Sequence, residues 1–233
     1  MITHIHRLCI VVMLAAAAQA SEAMQVLFIG NSLTYTNDLP SMIAELAKAG
    51  HQGVFSHAAE TPGGCSFAKH WATGKALKLI DSRQWDYVVL QDYSNNPLVK
   101  PQEMREYGLK FNDEIVRRGM KTAWYMTWSY VDEQPKQPLI TKAYTDLSAE
   151  TKGTLIPVGL AWDAYRTAHP EVNLYIDKKH PVPAGTYIAA CVFYGVFYKT
   201  SPIGLPGAPA KLDEVHAREI QEIAWKAVTS MFP

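Results

Sequence analysis

The stretch "QVLFIGNSLTYTN", Gln25 to Asn37, sets an apolar run of strand length directly against Gly30-Asn31-Ser32. A continuous apolar run of this kind is what a strand covered on both faces requires. The triplet that ends it is small, polar and turn-prone. Gly30 permits a tight turn, and Ser32 stands at the opening of the next segment. Two roles are open for Ser32: the cap of a short helix, or a hydroxyl directed into a crevice.

Working outward, apolar runs alternate with amphipathic segments of helical length. "PSMIAELAKAG" follows the first strand, with Pro40 at the first helical turn and Gly50 just past its end. "GVFSHAAE" reads as a second strand, "SFAKHW" and "ALKLIDSR" as short helical pieces, and "DYVVLQ" as a third strand. A long helix in "PQEMREYGLKFNDEIVRRG" leads to a fourth strand, "KTAWYMTW". "LITKAYTDLSAETKG" is helical and "TLIPVG" is a short fifth strand. "LAWDAYRTAH", "AGTYIAACVFYGVFYK" and "AKLDEVHAREIQEIAWKAVTSMF" supply the remaining helices, the last expected to cover one sheet face. This β-α alternation predicts an α/β fold, a parallel sheet of about five strands between two helical layers, joined by right-handed crossovers.

The 233 residues suffice for one such domain, and no repeat, low-complexity tract or linker divides them. Lys+Arg and Asp+Glu both number 22, so no basic excess points to nucleic acid. The N-terminus is distinct. A basic "MITHIHR", the apolar "LCIVVMLAAAA" and the small-x-small "AQA" before Ser21 follow the plan of a secretory leader. The apolar run is too short to span a bilayer. Residues 1–20 are therefore expected to be a cleaved signal peptide, with Ala23 a second cleavage option, and 21–233 a single secreted or periplasmic domain with no membrane span. Cleavage removes Cys9 and leaves Cys65 and Cys191, either a disulfide pair or two small buried hydrophobes.

In an open parallel sheet, ligands bind beyond the carboxyl ends of the strands. Four features fall there. Ser32 follows the first strand. "TPGGCS" follows the second, where paired glycines let backbone N–H groups approach a ligand. "QDYSNNP" follows the third and offers the Gln91 and Asn95 amides. Late in the chain, "YIDKKHPVPAGTY" places Asp177 and His180 three positions apart, a spacing that can set carboxylate beside imidazole. An unperturbed imidazole titrates near 6.5 and suits general-base work near neutrality. A nucleophile, a base with its orienting carboxylate, and neutral donors for an oxyanion are together the parts of an acyl-transfer site.

At this point the chain resembles the SGNH/GDSL-type hydrolases. "FIGNSLT" is similar to the nucleophile block, "GGCS" to the glycine block and "YIDKKHPVPAGTY" to the Asp-x-x-His block. The first block reads Gly-Asn-Ser where Gly-Asp-Ser is commoner. The third, "LQDYSNNP", lacks the usual Gly-x-Asn-Asp and is closer to the sialate and xylan O-acetylesterase-like members. The resemblance implies a flavodoxin-like α/β/α sandwich with a shallow, open site. It implies a Ser32–His180–Asp177 triad and an oxyanion hole of the Ser32 and Gly64 N–H groups with the Asn95 amide, Gln91 being the alternative. It implies no metal and no organic cofactor. The expected function is a secreted serine esterase removing O-acetyl or other short acyl groups from carbohydrate. A lipase or thioesterase for longer acyl esters, and a non-catalytic glycan-binding module of the same fold, are the alternatives.

Among the other side chains, His57 and His70 are expected to be structural. His51, His169 and His216 are expected to face solvent, and no His-Glu-x-x-His or Cys-x-x-Cys spacing indicates a metal. Trp71, Tyr93, Trp128 and Tyr130 follow strand ends and are candidates for an aromatic wall.

Overall fold

The computed structural model describes residues 23–231; the predicted leader lies outside them. Five strands, β1 (Met24–Ile29), β2 (Phe55–Glu60), β3 (Tyr87–Leu90), β4 (Lys121–Tyr125) and β5 (Thr154–Ile156), form one sheet. All pairings are parallel, in the order β2-β1-β3-β4-β5. The chain therefore reverses its direction of travel across the sheet between β1 and β3. Such a switch point opens a crevice at the strand ends.

The continuous apolar runs are explained by strand geometry, since successive side chains face opposite ways. Val26 and Phe28 point into one core layer, and Leu27 and Ile29 into the other. The first layer is covered by α2 (Leu39–Ala49), α8 (Val158–Ala168) and α9 (Pro183–Tyr198), with α10 (Glu214–Met231) packed on α8 and α9. The second is covered by α3 (Phe67–Thr73), α4 (Lys75–Asp81), α6 (Pro101–Val116) and α7 (Gln137–Thr151). Two one-turn helices, α1 (Ser32–Tyr35) and α5 (Asn96–Val99), sit at the carboxyl edge. This is the expected three-layer α/β/α sandwich.

Three details differ from expectation. The helix α10 packs on α8 and α9, one layer further out than a sheet cover. The element against the sheet is α9, whose Phe193 ring lies 5.8 Å from Phe28 and 4.9 Å from Tyr125. Its residues from Gly185 to Phe197 are all buried, as its apolar sequence demands. The fourth strand ends at Tyr125, so Met126 to Tyr130 form a loop. β5 is only three residues long and offers no further partner there. Cys65 and Cys191 are both buried free thiols, filling the role of small hydrophobes.

Candidate active site

Gly30, Asn31 and Ser32 leave β1 at the switch point. No side chain fits at Gly30, because a Cβ there would lie 2.6 Å from Thr34 Oγ1 and 2.8 Å from Gln91 Oε1. The buried His70 donates from Nε2 to the Gly30 carbonyl at 2.7 Å. Burial lowers the pKa of this imidazole and keeps it neutral, so His70 is structural, as expected.

Asn31 caps α1 and ties three loops together. Its Oδ1 accepts from Leu33 N at 3.2 Å, while its Nδ2 donates to Cys65 O at 3.0 Å and Asp92 O at 3.1 Å. The loops after β1, β2 and β3 thus meet on one buried amide. Ser32, 8 % exposed, opens α1. Its N–H stands in the first helical turn, where amides have no intrahelical acceptor. Capping and exposure of the hydroxyl are compatible here, because Asn31 supplies the cap.

Asp177 and His180 lie in a loop closed by Ile176 N donating to His180 O at 2.8 Å and Val182 N donating to Leu174 O at 3.0 Å. His180 Nε2 is 2.8 Å from Ser32 Oγ, and His180 Nδ1 is 2.7 Å from Asp177 Oδ2. Asp177 Oδ1 also accepts the backbone N–H groups of Lys179 and His180, each at 2.8 Å. These bonds, the His180 backbone N–H first, hold the Asp177 carboxyl well below the usual carboxylate range. The structure therefore brings the three sequence-predicted residues into one hydrogen-bonded line.

The predicted oxyanion donors are placed differently from one another. Gly64 has φ +64° and open space where a Cβ would stand, a left-handed turn that suits glycine. Gln91 is fully buried, and its amide is spent internally. Its Oε1 accepts from Asn31 N at 3.0 Å and from Thr34 Oγ1 at 3.1 Å, and its Nε2 donates to Asp92 O. Asn95 is half-buried at the start of α5, and its amide carries none of the bonds that fix Gln91. A depression of about 410 Å³, lined by Pro62, Gly63, Cys65 and Ala72 among others, adjoins the glycine turn.

Several supporting residues carry no motif. Asn37, at φ +56°, donates from Nδ2 to Pro181 O and Thr186 Oγ1, both at 2.9 Å, and so fastens the serine segment to the histidine loop. Trp128 is buried, not part of an aromatic wall. It stacks on Trp162 with ring centres 4.0 Å apart and donates from Nε1 to Lys179 O at 3.0 Å. Trp71 packs edge-on against Phe111 and is likewise a packing residue. Tyr93 and Tyr130 are half-buried, with Lys179 Nζ 5.8 Å from the Tyr93 ring and the Tyr130 hydroxyl 2.7 Å from Ser94 Oγ. Asp92 is the buried charge of the site. It accepts from Phe67 N at 2.7 Å and Asn96 Nδ2 at 3.0 Å, and burial pushes its carboxyl up to about 6.

Comparison with solved structures decides the fold. A putative SGNH hydrolase from Slackia heliotrinireducens superposes with a TM-score of 0.63 at 23% identity, over 75% of this chain and 99% of that one. The fold is that of the SGNH hydrolases. Within this SGNH fold, a DUF4886 family protein from Bacteroides uniformis matches with a TM-score of 0.73 at 19% identity, covering 91% of this chain and 97% of its own. An acetyl xylan esterase matches with a TM-score of 0.61 at 15% identity, covering 74% and 98%. No protein-family profile and no curated protein matches the sequence. Among the described residues, no helix is long and apolar enough to cross a membrane.

Proposed function

We propose that this chain is an exported serine ester hydrolase that removes O-acetyl or other short acyl groups from a carbohydrate. The observation that carries the proposal is the line from Ser32 Oγ through His180 to Asp177, at 2.8 and 2.7 Å, at the switch point of the sheet. His180 Nε2 takes the Ser32 proton as the hydroxyl oxygen attacks the ester carbonyl. Asp177, ionised and fixed by two backbone N–H groups, holds Nδ1–H and stabilises the imidazolium. The tetrahedral oxyanion is held by the N–H groups of Ser32 and Gly64 and by the Asn95 amide. Asn95 is preferred to Gln91 because the Gln91 amide is already committed to the serine turn. His180 then gives its proton to the leaving alcohol, and water, deprotonated by the same imidazole, releases the carboxylate.

The short-acyl, carbohydrate assignment rests on the third motif block and on the acetyl xylan esterase among the structural neighbours. Export rests on the leader read in residues 1–20. Hydrolysis of p-nitrophenyl acetate and octanoate by wild type and Ser32→Ala tests both steps. The acetate should be the better substrate, and Ser32→Ala should fall to background. Equal rates for wild type and variant would remove the esterase and leave a glycan-binding module. A preference for octanoate would move the substrate to longer acyl esters.

A further inference from the structure

The C-terminal end of α8 meets the first turns of α10, and histidines from separate parts of the chain converge. His169 caps α8 and its ring lies 5.5 Å from that of His216 on α10. Single donor atoms of His169, Glu171 and His216 all fall within 4.8 Å of one another. His216 Nδ1 is 2.7 Å from Asp213 Oδ2, which fixes the tautomer and leaves Nε2 as the lone-pair nitrogen. His169 Nε2 is 3.2 Å from Glu219 Oε2, leaving Nδ1 directed toward Glu171 Oε1 at 3.5 Å. Each imidazole thus has a carboxylate behind it, the arrangement that orients metal-binding histidines.

A second observation points the same way. Tyr165 is fully buried, its ring is 4.6 Å from His169, and its hydroxyl has no hydrogen-bond partner among the described residues. That hydroxyl lies within electrostatic reach of the Glu219, Asp213 and Glu171 carboxylates. A buried, unpaired donor beside His169 and within reach of three carboxylates marks a place prepared for a polar ligand.

We propose that His169, Glu171 and His216 bind a divalent cation of the zinc class, with Glu219 and Asp213 as outer carboxylates. Two imidazole nitrogens and one carboxylate suit Zn²⁺ and not Ca²⁺ or Mg²⁺, which take oxygen ligands. Zinc bonds of about 2.0–2.1 Å put tetrahedral ligands about 3.3–3.4 Å apart, so donors within 4.8 Å of one another must close by up to about 1.5 Å. Glu171, whose side chain is 66% exposed, has the freedom to do so. A bound cation would fasten α8 to α10 and anchor the segment that runs on to Asp177, a structural role separate from ester cleavage. The sequence showed no metal spacing because the ligands come from two helix ends far apart in the chain. His169 and His216, expected to face solvent, are only partly exposed.

The test is titration calorimetry with ZnCl₂, and thermal unfolding with and without it, on tag-free, chelator-stripped protein. The expected result is one Zn²⁺ per chain and a higher Tm, with no response to CaCl₂ or MgCl₂. His216→Ala should abolish binding, and Asp213→Asn should weaken it about 10–100-fold. Glu171→Gln, at an exposed position where folding is not at risk, should weaken it at least about tenfold. Absence of stoichiometric binding to the wild type, or equal binding by wild type and Glu171→Gln, would overturn the proposal.

Discussion

Replacing Asn31 by aspartate, the commoner residue in the resembling motif, changes one atom and tests how the serine turn is held. The Asn31 Nδ2 donates to two buried carbonyls, Cys65 O and Asp92 O, and a carboxylate can donate to neither. Leaving each buried acceptor unpaired costs about 1–3 kcal/mol, so an ionised replacement loses roughly 2–6 kcal/mol. Proton uptake sets a ceiling. Raising a carboxyl from its usual value of about 3.9 costs about 1.4 kcal/mol per pH unit, about 4 kcal/mol at pH 7. The neutral acid would then serve only one of the two carbonyls. With one carbonyl still unpaired that route costs about 5–7 kcal/mol, so the ionised form prevails at pH 7 and the expected destabilisation is about 2–6 kcal/mol. The new carboxyl has a folded pKa above its unfolded value, so the loss shrinks as pH falls, by up to about 1.4 kcal/mol per unit toward pH 5. Urea unfolding of both proteins at the two pH values measures it. A difference within about 0.5 kcal/mol at both, the range of an indifferent surface change, would refute the role given to Asn31.

Asn95→Ala should lower kcat about 10²–10³-fold with stability unchanged, the usual cost of one oxyanion donor. Gln91→Ala should instead lower stability by about 2 kcal/mol or more, because Asn31 N–H loses its buried acceptor; the reverse pattern would exchange their roles. Trp128→Phe keeps a ring against Trp162 but leaves Lys179 O without its donor, and should cost about 1–3 kcal/mol and reduce kcat more than KM changes. An unaltered kcat would show that the loop holds its geometry without this bond. Asp92, raised to about 6 by burial, contributes stability that is complete below about pH 4 and is lost as pH rises through 6. Stability of the wild type relative to Asp92→Asn should fall by up to about 3 kcal/mol between pH 4 and 7, and a flat difference would contradict the assignment.

The fold was legible because both faces of the inner strands are buried, so Val26 to Ile29 form an unbroken apolar run that no half-exposed strand would show. The triad candidates were legible because Ser32 and the Asp177–His180 pair each sit in a short local motif. What holds them was not. Asn37 acts through bonds to Pro181 O and Thr186 Oγ1 and Trp128 through one to Lys179 O, contacts between segments about 50 to 150 residues apart that no local pattern encodes. Gln91 and Asn95 look equivalent as amides in "QDYSNNP", and only burial separates the one turned into the core from the one near its surface. The outer position of α10 was hidden for a related reason, since an amphipathic stripe reports that a helix is covered on one side and not by what.

The most direct test of the central claim is labelling with a fluorophosphonate, which phosphonylates an activated serine, followed by peptide mapping. The account predicts one adduct, on the peptide carrying Ser32, absent from Ser32→Ala and formed far more slowly in His180→Ala. Labelling at another serine, or equal labelling rates in wild type and His180→Ala, would contradict it.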